Sequence, residues 1–388
     1  MQPTMHFLVW WTIVSCAAAA CGGGNDAADR GADNAPADAD GATDAPPETP
    51  LDTVEETPLD APEDEVADVP ADDGDEADAP PVVGPCGAGS PEALMGCVEQ
   101  PRYLADLNSV AGAREPGSAH WQEVQDLCNS RFTALGFTVE LHDYGTGVNV
   151  VGVLPGDDLA GERVLVSAHY DGVPDCPAAD DNASGVAGLL ETARVLSTAS
   201  FRRTLVVACW DEEEDGLIGS EAYAARAAAA GENLAVNFVY EMIGFYSDTP
   251  GSQTIPSGLN LLFPEQTAAL AANENRGDFL AVVADDLARP FHERMSLYGP
   301  AVGLSIVVLE VPAVLKNSPL LSDLRRSDHA GFWELDLPAM MLTDTSEFRN
   351  PHYHCGDGDD TIDTLNHDFA VKIVQTTVGA AAASLELR

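Results

Sequence analysis

The sequence predicts an α/β protein whose central sheet is mixed, mainly parallel and covered by helices. Short apolar runs rich in β-branched residues, such as 164–166 and 204–210, alternate along the chain with longer segments of helical periodicity. Runs that are apolar throughout are typical of strands covered on both faces. Because helices connect such strands and pack on the sheet, a layered α/β sandwich is expected.

The globular pattern begins at Pro91. In the second predicted helix, Trp121, Val124, Cys128 and Phe132 share one face, and Gly136 follows its end. Residues 244–300 are predicted to be irregular and to shape a pocket, with Phe245, Phe263 and Phe291 among them. In chain order we expect helices at 91–112 and 118–135, strands at 137–143, 148–154 and 163–168, a helix at 183–197, a strand at 204–210, a helix at 219–230, strands at 235–240, 304–310 and 338–343, and a helix at 366–386.

The first 85 residues are predicted to lie outside the folded domain at 86–388. Residues 7–20 form an apolar stretch that is short for a membrane span and typical of a signal peptide. The small residues before Cys21 resemble a bacterial lipoprotein processing site, with Cys16 as a competing position and an ordinary secretory signal as the alternative. We therefore expect a signal peptide at 1–21 and an exported protein, either lipid-anchored in the cell envelope through Cys21 or secreted.

Residues 22–85 are predicted to be a disordered acidic linker. They carry 20 of the 64 acidic residues and one basic residue, and they contain few large apolar side chains. Such a segment cannot bury enough apolar surface to offset the entropy of ordering. The formal net charge of the whole chain is -46, which argues against nucleic acid as a partner. The oligomeric state cannot be predicted.

Three successive predicted strands end in side chains that are able to bind a metal ion. His169 and Asp171 follow the first, Glu213 and Glu214 follow the second, and Glu241 follows the third. In open α/β sheets, functional sites form outside the carboxyl ends of the strands. Acidic turns are also common at protein surfaces, so each motif alone is equally compatible with a solvated loop.

The five consecutive acids at 211–215 have the same two interpretations. A solvated charge run is the usual one. However, the run lies between an apolar strand and the apolar Leu217 and Ile218. Metal-assisted hydrolysis needs two carboxylates side by side, one to bind the metal and one to accept a proton from the attacking water. His329, His352 and His354 are further candidates that could equally be surface residues.

In this order and spacing, the motifs resemble the zinc-dependent exopeptidases of the M28 type, which include bacterial secreted aminopeptidases. The matching segments are HYD at 169–171, DDNASG at 180–185, EE followed by DGLIGS at 213–220, EMIG at 241–244, SDH at 327–329 and NPHYH at 350–354. The resemblance covers roughly residues 100–385. It implies the three-layer zinc exopeptidase fold, a site for two zinc ions and peptide substrates, with removal of N-terminal residues as the expected reaction.

The resemblance also implies a role for each matching residue. Asp181 would bridge the two metals, His169 and Glu241 would bind one of them, and Glu214 and His354 would bind the other. Glu213 would be the general base, Asp171 would orient His169, and Tyr353 would stabilise the oxyanion. If the loops that carry Asp181 and His354 line one site, a disulfide between Cys176 and Cys355 is expected. Cys209, on a core strand, is expected to be a buried free thiol.

Two features depart from the family pattern. Many relatives have Asp where this chain has Glu241, and the longer side chain needs more room. The extra acids Asp211, Glu212 and Asp215 also blur which two residues form the catalytic pair, although the GLIGS segment at 216–220 favours Glu213 and Glu214. Other divalent ions remain alternatives to zinc, since carboxylate and imidazole sites also bind them.

Other functions remain open at this stage. A glutaminyl-cyclase-like acyltransferase on the same fold is one alternative, and a carboxypeptidase or amidohydrolase is another. A non-catalytic binding domain is disfavoured because the chain keeps all five metal ligands. The chain has no Gly-x-Ser-x-Gly motif and no His-Glu-x-x-His motif, which disfavours a serine hydrolase and a thermolysin-type protease.

Overall fold

The computed structural model describes residues 80–388 and confirms the predicted fold class. A mixed sheet of eight strands lies between two layers of helices. The predicted signal peptide at 1–21 and all of the predicted linker before residue 80 lie outside the described residues, so the domain boundaries remain predictions. Within residues 80–388, no helix has the length and apolar character that crossing a membrane requires.

The four central strands of the sheet are parallel, and an antiparallel pair joins them to the outer strands on each side. Its strand order is β1-β2-β4-β3-β5-β8-β6-β7. The parallel pairs are β3 with β4, β3 with β5, β5 with β8, and β6 with β7; the remaining neighbours are antiparallel. The strands are β1 (Thr138–Asp143), β2 (Val148–Leu154), β3 (Leu159–His169), β4 (Arg203–Trp210), β5 (Asn233–Glu241), β6 (Phe279–Asp285), β7 (Ser305–Val311) and β8 (Ala339–Thr343).

Ten α-helices occur within the described residues. Alternate strand residues point to opposite faces of the sheet, so each strand contributes to both cores. Val164 and Val166 pack in the larger core, whereas Leu165 packs in the smaller core on the other face. The helices are α1 (Pro91–Met95), α2 (Gln100–Val110), α3 (Ala119–Ala134), α4 (Gly185–Leu196), α5 (Ile218–Ala230), α6 (Leu259–Leu262), α7 (Pro264–Ala272), α8 (Arg289–Tyr298), α9 (His329–Glu334) and α10 (His367–Leu385).

The prediction of a single helix at 91–112 is wrong. The helix breaks after Met95, and α2 begins at Gln100. Gly96 ends α1, where a Cβ atom would lie 2.2 Å from the carbonyl oxygen of Gly84. A disulfide between Cys86 and Cys97 ties the break to the segment before α1. The close backbone approach therefore requires glycine here and interrupts the helix.

The prediction that residues 244–300 are irregular is also wrong. This segment contains α6, α7, the strand β6 and α8. All seven residues of β6 are buried. Its continuous run of apolar residues from Phe279 to Ala284 is the pattern of a strand covered on both faces, and that signal could have located it.

Candidate metal centre

The candidate site lies where three neighbouring parallel strands end. His169 is the last residue of β3 and pairs in register with Trp210, the last residue of β4, so Glu213 and Glu214 follow at the same edge. Glu241 ends β5 on the other side of β3. Parallel strands bring their carboxyl ends to one edge of the sheet, and this is why residues far apart in the chain meet here.

Asp181 has one oxygen near each of two groups of ligand atoms. Its Oδ1 lies 3.3 Å from His169 Nε2, and that nitrogen is 3.6 Å from Glu241 Oε2. Its Oδ2 lies 3.2 Å from His354 Nε2, and that nitrogen is 3.1 Å from Glu214 Oε2. The side chains therefore form two groups of three potential ligands that share Asp181, and His169, Glu213 and Glu214 form a third group beside them.

The chemistry of these groups fits two divalent cations. Both ring nitrogens of His169 are buried without a hydrogen-bond partner among the described residues, although carboxylate oxygens surround the ring. An unsatisfied buried imidazole is costly, and a metal ion would satisfy it. Each group offers one imidazole nitrogen and two carboxylate oxygens, which zinc accepts as a set of three protein ligands with a further position open.

The charges of the site shift its pKa values in the direction expected of a cation site. Burial lowers the pKa of His354, but hydrogen bonds and charge from Asp181 and Glu214 outweigh this effect and raise it to about 10. Burial raises the pKa of Glu214 to about 7, with a further contribution from the charge of Asp181. The pocket thus attracts positive charge, while its carboxylates repel one another.

Glu213 and Glu214 are held by the carboxylate of Asp171. The backbone N–H of Glu213 donates to Asp171 Oδ1 and that of Glu214 to Oδ2, both at 3.1 Å. Asp171 Oδ1 also lies 3.3 Å from His169 Nδ1. One carboxylate therefore sits beside a potential ligand and fixes the backbone of the acidic pair. Burial raises the pKa of Glu213 well above its usual range, and the charge of Glu241 raises it further.

The other acids of the 211–215 run have different surroundings. Asp211 accepts hydrogen bonds from the indole N–H of Trp121 at 2.7 Å and the backbone N–H of Val148 at 2.9 Å. Glu212 accepts from the hydroxyl of Thr146 at 2.6 Å, and Asp215 is exposed. None of the three belongs to a potential metal-binding group. The predicted pair, Glu213 and Glu214, is the pair that points into the site.

Glycine in the GLIGS segment allows this loop to close tightly. A Cβ atom on Gly219 would lie 2.3 Å from the carbonyl oxygen of Asp211, and the Gly219 N–H donates to that oxygen at 3.1 Å. Any larger residue would push the acidic loop away from α5. The segment thus positions the acidic pair through backbone packing.

The SDH segment contributes its serine to the site and not its histidine. Ser327 Oγ donates to Glu241 Oε2 at 2.7 Å, which holds the longer glutamate side chain in place. His329 is buried and directs Nε2 to the carbonyl oxygen of Leu324, 2.9 Å away, and its ring packs edge-on against Trp333. Of the two interpretations of His329, the structure supports the non-ligand one.

Tyr353 and His354 reach the site from the long loop after β8. The Tyr353 ring stacks on the His354 ring with centroids 3.8 Å apart, and its hydroxyl accepts a hydrogen bond from Arg326 at 2.8 Å. Sequence reasoning missed Arg326, because no local pattern links it to Tyr353. The expected disulfide between Cys176 and Cys355 is present and joins the Asp181 loop to the His354 loop. Cys209 is a buried free thiol, as expected.

A cleft opens beside these residues. Asp181, Glu213, Glu214, Glu241 and His354 line it together with a broad apolar wall. The segment at 244–300 lines this cleft as expected, through residues between Gln253 and Val283. Phe245, Phe263 and Phe291 do not line it, so the expectation is wrong for these three residues. The wall comes largely from alternate residues of β6, β7 and β8, with further residues from α6, α7 and the loop before them. Its apolar members include Ile255, Leu259, Leu270, Phe279, Val283, Val307, Leu309 and Met341.

Comparison with known proteins places this site in a familiar fold. The model of peptidase family M28 matches residues 149–287, which contain His169, Asp181, Glu213, Glu214 and Glu241. An uncharacterised Escherichia coli protein, YfbL, is 32% identical over 231 residues, covering 56% of this chain and 66% of that protein. The leupeptin-inactivating enzyme 1 of Streptomyces exfoliatus is 32% identical over 160 residues, covering 38% of this chain and 36% of that enzyme. The chain thus spans less than two thirds of either relative.

Two solved structures share the fold at low sequence identity. The LapA aminopeptidase of Legionella pneumophila superimposes with a TM-score of 0.59 at 18% identity, over 77% of this chain and 74% of that one. A glutaminyl cyclase from Macrostomum lignano gives a TM-score of 0.54 at 17% identity, over 79% of this chain and 96% of that one. Both comparisons support the layered fold with the sheet described above.

Proposed function

The chain belongs to peptidase family M28, and from this premise we propose that it is an aminopeptidase that uses two zinc ions to remove N-terminal residues from peptides. The observation that carries the proposal is the arrangement around Asp181. Its two oxygens face two separate histidines at 3.3 and 3.2 Å, with Glu213 in the same cleft. A shared carboxylate beside a buried free carboxylate is what two-metal hydrolysis requires.

We assign His169, Asp181 and Glu241 to one zinc ion, and Asp181, Glu214 and His354 to the other. The three carboxylates would offset most of the charge of two divalent ions and leave both partly positive. Bound zinc ions would polarise the substrate carbonyl and lower the pKa of the attacking water. Zinc is the proposed ion because imidazole and carboxylate are its ordinary ligands.

The chain's own residues supply the proton transfers. Glu213 is buried in the cleft, and burial raises its pKa above the usual range of a carboxyl group, which makes its carboxylate a stronger base. We assign it the proton of the attacking water, which it then passes to the leaving amine. The hydroxyl proton of Tyr353 is free to donate to the developing oxyanion, because the hydroxyl oxygen accepts its own hydrogen bond from Arg326. Asp171 holds the backbone of Glu213 during these steps.

The cleft supports an apolar first residue in the substrate. Its wall is built mainly from aliphatic side chains of three strands. A charged side chain placed there would lose hydration without gaining a partner from that wall. We therefore propose that peptides beginning with Leu or Phe are cleaved in preference to peptides beginning with Lys or Glu.

A cleavage assay with the full chain tests this function. Short peptides with free or acetylated amino termini are incubated with the protein, with and without a zinc chelator, and the products are identified by mass. We expect chelator-sensitive release of the first residue from free amino termini alone. Cleavage of acetylated peptides would point instead to a carboxypeptidase or an amidohydrolase.

A glutaminyl cyclase is the second candidate, because the chain shares its fold with the Macrostomum lignano enzyme. Peptides that begin with Gln distinguish the two functions. Loss of ammonia without cleavage would identify the cyclase, whereas release of the N-terminal residue would identify the aminopeptidase.

We also propose that the protein is exported and attached to the cell envelope through a lipid on Cys21. This proposal rests on the apolar segment at 7–20 and the small residues that precede Cys21. Mass analysis of the amino-terminal peptide of protein isolated from its own cells tests it. An unmodified terminus beyond Cys21 would favour a secreted protein.

A further inference from the structure

Arg114 is a completely buried arginine in the segment between α2 and α3. All five of its hydrogen bonds go to backbone carbonyl oxygens. They are those of Gly112 at 3.1 Å, Tyr170 at 2.9 Å, Pro177 at 3.2 Å, Ala178 at 2.8 Å and Asp181 at 3.1 Å. A guanidinium presents five N–H donors in a rigid plane, so every donor of this side chain has an acceptor.

Burying a guanidinium without a bonded carboxylate is costly unless negative charge lies nearby. Here the carboxylates of Asp171, Asp181, Asp360 and Glu214 act on its charge from the candidate metal centre. The guanidinium is thus a fixed positive charge beneath a cluster of acids. It offsets part of the repulsion among them when the metals are absent.

Four of the five carbonyl oxygens that Arg114 binds belong to the segment at 170–181, which follows the ligand His169 and contains the ligand Asp181. Tyr170 lies between His169 and Asp171, and Asp181 is itself the shared ligand. One side chain therefore joins the backbone at the end of β3 to the backbone of the following loop.

A second side chain, that of Asp360, holds Asp181 through its backbone N–H. The carboxylate of Asp360 accepts hydrogen bonds from the N–H groups of Asp180 and Asp181 at 2.9 and 3.1 Å. Asp360 is also buried. The N–H of Asp181 is thus bound by an anion, and its carbonyl oxygen by a cation.

We propose that Arg114 is a positioning residue of the metal centre that, with Asp360, fixes the backbone of Asp181 so that its two oxygens meet two metal ions. Arg114 touches no ligand side chain and acts through the backbone. It precedes the segment matched by the family model. The inference rests on the proposed function in that the site must bind zinc.

Zinc affinity of the full chain provides the test. The metal-free protein is titrated with zinc in competition with a chromogenic chelator, and its folding is checked by circular dichroism. Arg114→Met removes the charge and the donors, whereas Arg114→Lys keeps the charge but cannot span five carbonyl oxygens. We expect zinc binding to weaken about ten- to a hundredfold in Arg114→Met, and by a smaller factor in Arg114→Lys.

Arg203→Met is the matched control. Arg203 is largely buried at the opposite end of the sheet, where it pairs with Glu162 and binds the carbonyl oxygen of Ser384. Its loss should lower the melting temperature without changing zinc affinity. If Arg114 had a purely structural role, Arg114→Met would likewise lower the melting temperature without changing zinc affinity.

The outcomes separate this inference from the proposed function. Wild-type zinc affinity in folded Arg114→Met and Arg114→Lys would overturn the positioning role. Failure of the wild-type chain to bind zinc would instead overturn the proposed metal centre. If neither Arg114 variant folds, Asp360→Ala tests the other half of the arrangement: weakened zinc binding supports the role, and unchanged binding overturns it.

Discussion

The carboxylate of Asp171 accepts a hydrogen bond from the backbone N–H of Glu213 at 3.1 Å. The same carboxylate binds the N–H of Glu214 and lies 3.3 Å from the ring of His169. A residue expected to orient one histidine thus also sets the position of the proposed base and of a proposed ligand. Hydrogen bonds to the backbone of Glu213 and Glu214 thus help to position their side chains in the site.

The Asp171→Asn variant should therefore impair both metal binding and turnover. An asparagine oxygen can accept from one of the two N–H groups, but its amide NH2 would face the other. We expect zinc affinity to fall about tenfold or more, measured by competition with a chelator, together with kcat. Asp175→Asn, at an exposed acid in the same loop, is the control. Wild-type affinity in Asp171→Asn would show that these bonds are dispensable.

Glu213→Gln should keep both zinc ions and lose most of its turnover. The amide preserves the size of the side chain but cannot accept and return a proton. Removal of a general base typically lowers kcat by about 10²–10⁴. Peptide cleavage and zinc content are measured on the same preparation. The neighbouring Glu212→Gln, which only loses part of a contact with Thr146, should remain close to the wild-type rate. A fast Glu213→Gln enzyme would exclude Glu213 as the base.

Replacing the shared carboxylate of Asp181 should remove more zinc than replacing a residue that binds only one ion. Asp181→Ala removes an oxygen from both groups of ligands, so we expect it to lose both zinc ions. His354→Ala affects one group and should retain about one equivalent. Elemental analysis after gel filtration measures the ratio, with the exposed Asp359→Ala as control. Two zinc ions in Asp181→Ala would contradict the bridging arrangement.

Ile255→Glu should change substrate preference and leave the metals in place. Ile255 is a half-buried loop residue that lines the cleft. A carboxylate there would disfavour an apolar first residue and attract a basic one, so we expect the ratio of kcat/KM for Leu over Lys substrates to fall on the order of tenfold. Leu261→Glu, at a residue that is 81% exposed and does not line the cleft, is the control. An unchanged ratio would show that the first residue of the substrate does not bind beside Ile255.

His329 should make the protein less stable in acid. Burial lowers its pKa to about 4, and the charge of Arg325 contributes in the same direction. The unfolded chain takes up this proton near pH 6.5, whereas the folded chain resists it until about pH 4. The free energy of unfolding therefore falls as the pH falls through this window, by about 3 kcal/mol for this residue.

Urea unfolding of metal-free protein at pH 7 and pH 4.5 measures this contribution. His329→Gln keeps a side-chain donor for the Leu324 carbonyl oxygen but carries no titrating group. It should lose less stability between the two pH values than wild type. Equal losses in the two proteins would rule out the contribution of His329.

The order of the site residues could be predicted from the sequence, because each of them follows an apolar run that indicates a strand. His169, the acidic pair and Glu241 follow three such runs, and parallel strands of one sheet must end at one edge. The family resemblance supplied what local patterns cannot, namely that His354, more than a hundred residues after Glu241, belongs to the same site.

Only the tertiary structure decided which side chains face inward. Asp211 and Glu213 look alike in sequence, but Trp121 and Val148 bind the first while Asp171 binds the backbone of the second. The apolar wall depends on β6 lying beside β8, and the support of Asp181 depends on Arg114, 67 residues earlier in the chain. Local residue patterns determine helices, strands and their ends. Contacts between distant segments depend on how those elements cross and pack, which no short stretch of sequence encodes.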